Sequence, residues 1–521
     1  MLNQATSICT ASSTDEGGKP LLHTITRQGN TMRKLLVIAA LLALVAVSVT
    51  AGIWYNKLVK NPTQEYAYAK GVDAAAYSFP YFLNSVLLNK WSKPPVEGMA
   101  FTPSAAVNQF WHLSEMPSAE DYRDGGGPNL DTLYSVAFIY VGEEPIVMSV
   151  PPVPDERYYT FEIAGFDSDN FAYIGKRTHG NLGGNYAIVP PGWGGVLPAD
   201  VQQLAEAPTP WIIVVGRTLI DPNNPDDLQA VNALQAQYRI THLPDWGIDN
   251  PPLPPHPPLD GLGALLDPYL ADGAPKLIRK VALQDPMLFW QVVNWALDGN
   301  GVPARDQSRL PDWATLELGP GQDLSTLDDD TREGLSQSVM QGIRILQSYS
   351  DSSLNPGRRI NGWRYPAVHM GRSGVSGHYL NRSAVQSMKG IISHDPEEAV
   401  YMGCRDDQFG ERLDGGNQYR VHFAAGQLPP AREFWSLTAY DDDFNPIINP
   451  LNRHAVGDRS DHLEYNADGG LSIYLGPEPR AGKQGNWLPL VEGNVTLVLR
   501  MYGPGDKVLS QTWNPPQVRR L

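Results

Sequence analysis

PDERYYTF, residues 154–161, decides how this chain is read, because PAREFWSL at 430–437 repeats its grammar: proline, three residues, two aromatics, Ser or Thr, then an apolar residue. Extended by a few residues, the first becomes RYYTFEIA. Tyr159, Phe161 and Ile163 then point to one side and Tyr158, Thr160 and Glu162 to the other. The second becomes FWSLTAY, with Trp435, Leu437 and Ala439 on one side. A period of two is the mark of a strand with one face in a core. Each strand runs into an acidic turn, GFDSDN or YDDDFN. Two sandwiches of similar build would explain the echo; a chance likeness between common strands and turns is the alternative.

Around these strands lie others of the same kind. TLYSVAFIYV, IVMSV, NFAYIG, NYAIV and WIIVV are bounded by Gly, Pro, Asn or Asp and place a first β-sandwich domain at 56–249, preceded by helical stretches at about 69–90 and 104–113. YRVHF (Tyr419, Val421, Phe423), LSIYL (Leu471, Ile473, Leu475) and NVTLVLRMY (Val495, Leu497, Leu499, Met501) place a second at 396–510, with 511–521 as a tail. NPPLPPHPPL at 250–259 reads as a semi-rigid linker, and 260–395 as a helical interval. In that interval Asp285 and Pro286 open a helix that ends at Asp298-Gly299, and Asp328–Asp330 open another with a Leu335, Val339, Ile343, Leu346 stripe. A third is expected over about 378–392.

The chain has 521 residues, enough for two or three domains, and its 49 Gly and 45 Pro suit a turn-rich, mainly β protein with α insertions. A net charge of −16 without a Lys/Arg stripe excludes a nucleic-acid partner. With Cys9 in a polar leader, Cys404 is left without an internal disulfide partner. Leu35–Trp54 is uncharged for the length needed to cross roughly 30 Å of hydrocarbon, after Arg33 and Lys34. Residues 32–55 therefore read as a signal-anchor that tethers an exported body to the cell envelope, on its periplasmic or extracellular side; cleavage near Ala51 would instead release it. Residues 1–31 read as a leader without structure, with Met32 as an alternative start.

Polar clusters offer several candidate sites. In PNLDTLY (128–134) Asn129 and Asp131 can present an amide and a carboxylate beside Tyr134, or cap a turn through their own backbone. In NPLNRHAVGD (449–458) Asn452 and Arg453 can bind an anion and His454 can act as a base, or Arg453 can tie loops together. A hydrolase would use Asp131, Tyr134, Arg453 and His454 together. GVSGH (374–378) has His378 where a nucleophile elbow needs glycine, so Ser376 reads as part of a Gly-rich loop. His179, His369, His378, His394, His422, His454 and His462 show no metal-ligand spacing, and the acidic turns at 167–169 and 441–443 do not continue as calcium loops. No nucleotide motif stands in a strand–turn–helix context, so neither a metal nor a cofactor is expected. Homo-oligomers are conceivable for paired sandwiches.

GGPNLDTLYSVAFIYV, PDERYYTFEIAGFDSDNFAYIGKRTHGN, NYAIVPPGWGG and TPWIIVVGRTLID resemble domain of unknown function 1254. GGNQYRVHFAAGQLPPAREFWSLTAYDDD, NPLNRHAVGDR, YNADGGLSIYL and NWLPLVEGNVTLVLRMYGP resemble domain of unknown function 1214. The helical interval, with GPGQDL and NGWRYPAVHMGRSG, resembles the usual spacer, so the likeness spans about 96–510. It implies two jelly-roll-like sandwiches with helical insertions, similar to the double jelly roll of some viral capsid proteins. It implies no reaction. The expected protein is an envelope binding or assembly protein for a small organic or glycan ligand; the alternative is a hydrolase working in a cleft between the sandwiches.

Overall fold

The computed structural model describes residues 37–48, 61–95, 101–116, 118–121, 126–270, 272, 274–461 and 463–521. The leader, Cys9, Met32, the basic pair, the candidate cleavage site and His462 lie outside them. Of the apolar run, 37–48 form an exposed helix; among the described residues no helix is long and apolar enough to cross a membrane. The rest of the description concerns the unit Thr63–Leu521.

Eight strands make the first sandwich: β1 Thr132–Tyr140, β2 Ile146–Val150, β3 Tyr159–Gly165, β4 Asn170–Gly175, β5 Gly184–Val189, β6 Gln202–Glu206, β7 Trp211–Leu219 and β8 Arg239–His242. Eight more make the second: β9 Ala399–Cys404, β10 Tyr419–Phe423, β11 Ala431–Tyr440, β12 Ala455–Gly457, β13 Leu471–Gly476, β14 Trp487–Pro489, β15 Thr496–Pro504 and β16 Val518–Arg520. Beyond the two-residue edge strands Trp111–His112 in the first and Arg359–Ile360 and Trp363–Arg364 in the second, the first pairs its strands in the orders β1-β7-β3-β4 and β6-β5-β2-β8, and the second uses β9-β15-β11-β12 and β14-β13-β10-β16. Adding eight to each label of the first gives the second. The one parallel contact in each copy, β5 with β6 and β13 with β14, also corresponds. PDERYYTF enters β3 and PAREFWSL enters β11, so the echoed phrases occupy equivalent strands. Of the expected jelly-roll-like pair, the structure gives the two sandwiches with these strand orders.

Within each copy the alternating apolar residues fill the space between the sheets. Ala137, Ile139, Phe161, Ile163, Ile212 and Val214 meet Ile146, Met148 and Ile188 in the first. Trp435, Leu437, Leu499 and Met501 meet Val421, Phe423 and Ile473 in the second. Three expectations change. Residues 104–113 are turns and the edge strand Trp111–His112, not a helix; Asn108 takes φ 64, and its amide bridges Tyr140 N and Pro254 O. Residues 511–521 are not a tail, since Val518–Arg520 pairs with β10 and completes a sheet. The faces opposite the cores, expected to meet water, are buried too: Tyr158, Thr160 and Glu162 in one copy, Phe434, Ser436, Thr438 and Tyr440 in the other.

Helices cover what the sandwiches leave open. These are α1 Pro62–Trp91, α2 Pro225–Gln235, α3 Ala274–Gln284, α4 Pro286–Asn300 and α5 Asp329–Tyr349. Asp328 caps α5 by accepting the Thr331 N–H at 2.9 Å, and Leu335, Val339, Ile343 and Leu346 are buried. The α4 helix runs past Gly299 to stop at Gly301, because Asn300 bonds both the helix and the Trp211 N–H at the start of β7. The expected third helix is shorter, a turn at Tyr379–Asn381 continuing as a π-helix over Arg382–Ser387. One apolar cluster joins α1, α4 and α5 to the outer residues Val136, Phe138, Trp211, Ile213 and Val215 of the first sandwich.

The α1–α5 contact is a seam of small residues. Ala67, Gly71 and Ala75 face Gly334, Ser338 and Gly342, each set spaced by four, which keeps them on one helix face. A Cβ on Gly334 would lie 2.3 Å from the Gln64 carbonyl oxygen, so the helices can approach only without one. Gly334→Ala should lose about 1–3 kcal/mol in urea unfolding, the usual cost of overpacking, whereas exposed Gln337→Ala should change little. Equal midpoints for the two variants would refute the seam.

Candidate functional site

The expected site residues fall in two places. Asn129 Oδ1 accepts the Asp131 N–H at 2.6 Å, which is the turn-capping alternative, and Asn129 Nδ2 donates to Thr132 and to the Tyr502 hydroxyl of the other sandwich at 2.5 Å. Asp131 accepts from Ser436 Oγ at 2.7 Å, again across the copies, and burial raises its pKa. The Tyr134 ring lies 5.5 Å from the Arg217 guanidinium. Arg453 donates to the carbonyls of Gln484 and Trp487, the loop-tying alternative; His454 is held by Ile447 O and Asn452 Oδ1, and burial lowers its pKa. Among the described residues no hydrogen bond joins the 129–134 group to the 452–454 group.

Where the sandwiches meet, polar and aromatic side chains replace a hydrocarbon core. Glu162, fully buried on β3, takes Arg217 Nη1 at 2.8 Å and has His394 Nδ1 at 3.2 Å. Burial pushes its carboxyl up to about 7 against the pull of Arg217, and burial, then Arg217, lowers the His394 imidazolium. Arg500 on β15 donates to Thr438 Oγ1 and to Gly127 O, with its guanidinium 5.2 Å from the Tyr401 ring and 5.4 Å from that of Tyr440. Tyr401 and Tyr502 share a hydrogen bond at 2.8 Å. This seam is filled, so the expected cleft between the sandwiches is not where the structure opens.

The turn GFDSDN is not a solvated turn either. Asp167 and Asp169 are buried; Arg305 reaches both at 2.7 and 2.8 Å, and Arg382, itself fully buried, reaches Asp167 at 3.3 Å. Asp169 Oδ1 also accepts the Gly374 N–H at 2.9 Å, and the Asn170 N–H donates to Gly371 O at 2.7 Å. This fastens the GRSG loop onto the end of β3. Glycine is required there: at Gly371, with φ 83, a Cβ would lie 2.2 Å from Asp395 Oδ1, and at Gly374 2.2 Å from Asp169 Oδ2.

That fastening creates a cleft of about 660 Å³ between β4, the short helix Lys176–His179, the 368–376 loop and the 395–397 segment. Phe171, Leu204, Val368 and Met370 supply apolar surface; Tyr173, Arg177, His179, His369, Arg372, Ser376, Asp395 and Glu397 supply polar groups. Arg177 Nε donates to Glu398 at 2.6 Å and Arg372 Nε to Asp395 at 2.6 Å. His369 stacks on His378 at 3.9 Å, and burial, then its neighbour, lowers its pKa. Sequence reasoning missed Arg177, Arg372, Asp395 and Glu397. The signal for the two arginines is the pairing of Arg with His in two Gly-containing stretches, KRTHG and HMGRSG. Among the described residues no group of three or more His, Cys, Asp or Glu could hold a metal ion.

Comparison with known families agrees with the paired sandwiches. Residues 107–242 match DUF1254, and residues 398–506 match DUF1214. Each is described as a protein of unknown function, and each match falls on one of the two copies. The crystal structure of the VPA0106 protein from Vibrio parahaemolyticus matches with a TM-score of 0.61 at 22% identity, over 87% of this chain and 100% of that one. An uncharacterized protein from Burkholderia cenocepacia matches with 0.42 at 13% identity, over 87% and 95%. The first likeness shows a shared fold alone. No curated protein matches the chain.

The Glu162 carboxyl gives a signed test. A group held near 7 in the fold but near 4.5 when unfolded keeps its proton in the folded state only, so its contribution to stability falls as pH rises from about 4.5 through 7. Glu162→Gln removes that fall. Whatever its offset, the variant should gain on the parent in urea unfolding between pH 5 and pH 8. An offset that does not change with pH would overturn the assignment.

Proposed function

We propose that this chain is an exported binding protein that holds a small organic molecule in the cleft between β4 and the 368–376 loop. One observation carries the reading: the cleft combines apolar walls with convergent polar groups, at a volume of about 660 Å³ that falls in the range of small-molecule sites. The 35–54 run supports export, with membrane tethering as the preferred form and cleavage as the other. We favour binding over the hydrolase alternative, since Asp131, Tyr134, Arg453 and His454 make their hydrogen bonds in two separate groups. A carrier or sensor needs only a shaped site, and the open cleft with its mixed lining is consistent with that need.

The full-length chain, purified from the membrane fraction, should yield a small molecule by native mass spectrometry. Val368→Asp, on an exposed position of the wall, should lose it while keeping the parent's circular dichroism spectrum. Retention of the molecule by this variant would move the site elsewhere. Recovery of the chain from the cytosol alone would overturn export.

A further inference from the structure

Resting on that reading of the cleft, we propose that its occupant is an amphipathic organic acid: one carboxylate, recognised by Arg177 and Arg372, on an apolar body seated against Phe171, Leu204, Val368 and Met370. The two arginines come from distant segments yet are presented in the same way. Each spends its Nε on a carboxylate, Arg177 on Glu398 and Arg372 on Asp395, both at 2.6 Å. Those carboxylates are otherwise engaged: Glu398 Oε1 accepts from the Tyr158 hydroxyl at 2.7 Å, and Asp395 Oδ1 lies 3.0 Å from the Asn170 amide. The Arg177 guanidinium also lies 5.2 Å from the Tyr173 ring.

Among the described residues, the Nη groups of neither arginine donate to a protein acceptor, and both side chains remain open to solvent, at 35% and 45% exposure. The wall therefore carries an excess of donors in the planar fork that a carboxylate matches with two parallel bonds. Charge limits the occupant to one such group. Asp395 and Glu398 already balance the two guanidinium groups, and Glu397 stands exposed on the rim, so recognition rests on the free Nη donors and not on net charge, and a phosphate dianion meets twice the repulsion that a carboxylate does. Burial lowers the pKa of both His179 and His369, which weakens them as cations beside the arginines.

The opposite requirement comes from the hydrocarbon. Val368 is 72% exposed at the mouth, on a wall it shares with Phe171, Leu204 and Met370. Apolar surface of this kind at a binding mouth is stabilised by covering it, which a sugar's hydroxyls do poorly and an aryl or alkyl body does well. A free sugar acid would satisfy the arginines and leave this wall wet.

The test uses the full-length chain and soluble probes, with affinities from isothermal titration calorimetry. 4-Isopropylbenzoate should bind, its primary amide about tenfold or more weakly, and glucuronate and a neutral disaccharide weakly as well. Arg372→Lys should cost about tenfold for the acid while leaving the amide unchanged, and Val368→Gln should weaken acid and amide alike. Equal binding of acid and amide, or an Arg372→Lys variant that binds the acid as the parent does, would overturn carboxylate recognition and leave the cleft reading standing. Preference for the disaccharide would do the same. A chain that binds none of the four, and releases no small molecule in native mass spectrometry, would overturn both.

Discussion

Glu162 has no access to water on either side of its sheet, and the architecture around it follows from that constraint. An ionisable side chain fully removed from solvent costs several kcal/mol unless it is paired and hydrogen-bonded. Here Arg217, Asn170 and His394 converge on it, from β7, from β4 and from the segment that leads into the second sandwich. The two hydrogen-bond donors belong to the first sandwich itself, and His394 packs against the same carboxyl from beyond it. The neighbouring groups do bond across the junction: Asn129 and Asp131 reach Tyr502 and Ser436, and Arg500 reaches back to Gly127. A hydrocarbon seam could slide without leaving any group unpaired. This polar seam accepts one register, because a shift would strand buried donors.

The shared strand order lets two sheets present matching faces. The two sandwiches share all eight strand positions and both parallel contacts, so each offers an equivalent outer face. Their acidic turns show where the copies differ. In the first, Asp167 and Asp169 are buried and neutralised by Arg305 and Arg382 from the helical interval. In the second, Asp442 stays near solvent with Arg412 and Asn494, and Asp441 accepts the Asp443 and Asn445 N–H groups of its own turn. A turn that needs two arginines from elsewhere fixes the interval in place, and the GRSG loop that borders the cleft is fixed with it.

Much of this was legible in the residues, for a definable reason. Period two, glycine and proline punctuation and helix caps are local, and they recovered the core faces of β3, β10, β11, β13 and β15 and the stripe of α5. The burial of Tyr158, Thr160 and Glu162 was not legible, since Glu and Thr alternating with apolar residues read as a solvated face unless the opposing sheet is known. PNLDTLY carried both of its readings honestly: the Asx turn is local and visible, but its contacts with Ser436 and Tyr502 are not. Arg177, Arg372 and Asp395 belong to three separated segments, and each taken alone is an ordinary surface residue. The strand Val518–Arg520 is short and basic, so nothing in its own composition marked it as part of a sheet.

The cleft and the seam are one mechanical system, because the same carboxylates serve both. Glu398 holds Arg177 with one oxygen and Tyr158 of the seam with the other; Asp395 holds Arg372 and faces Asn170, which also bonds Glu162. Moving either carboxylate to reorient an arginine disturbs a bond between the first sandwich and the segment entering the second. An occupant that engages the arginines must therefore stabilise the docked arrangement by whatever free energy it gains there, and loosening the docking must weaken the occupant by the same amount. That reciprocity gives a reason for siting a cleft at the end of the interval, where it meets both copies, and for tethering its donors to buried groups. Donors fixed from behind lose little freedom when they are used, which is how a shallow, open site can still be selective.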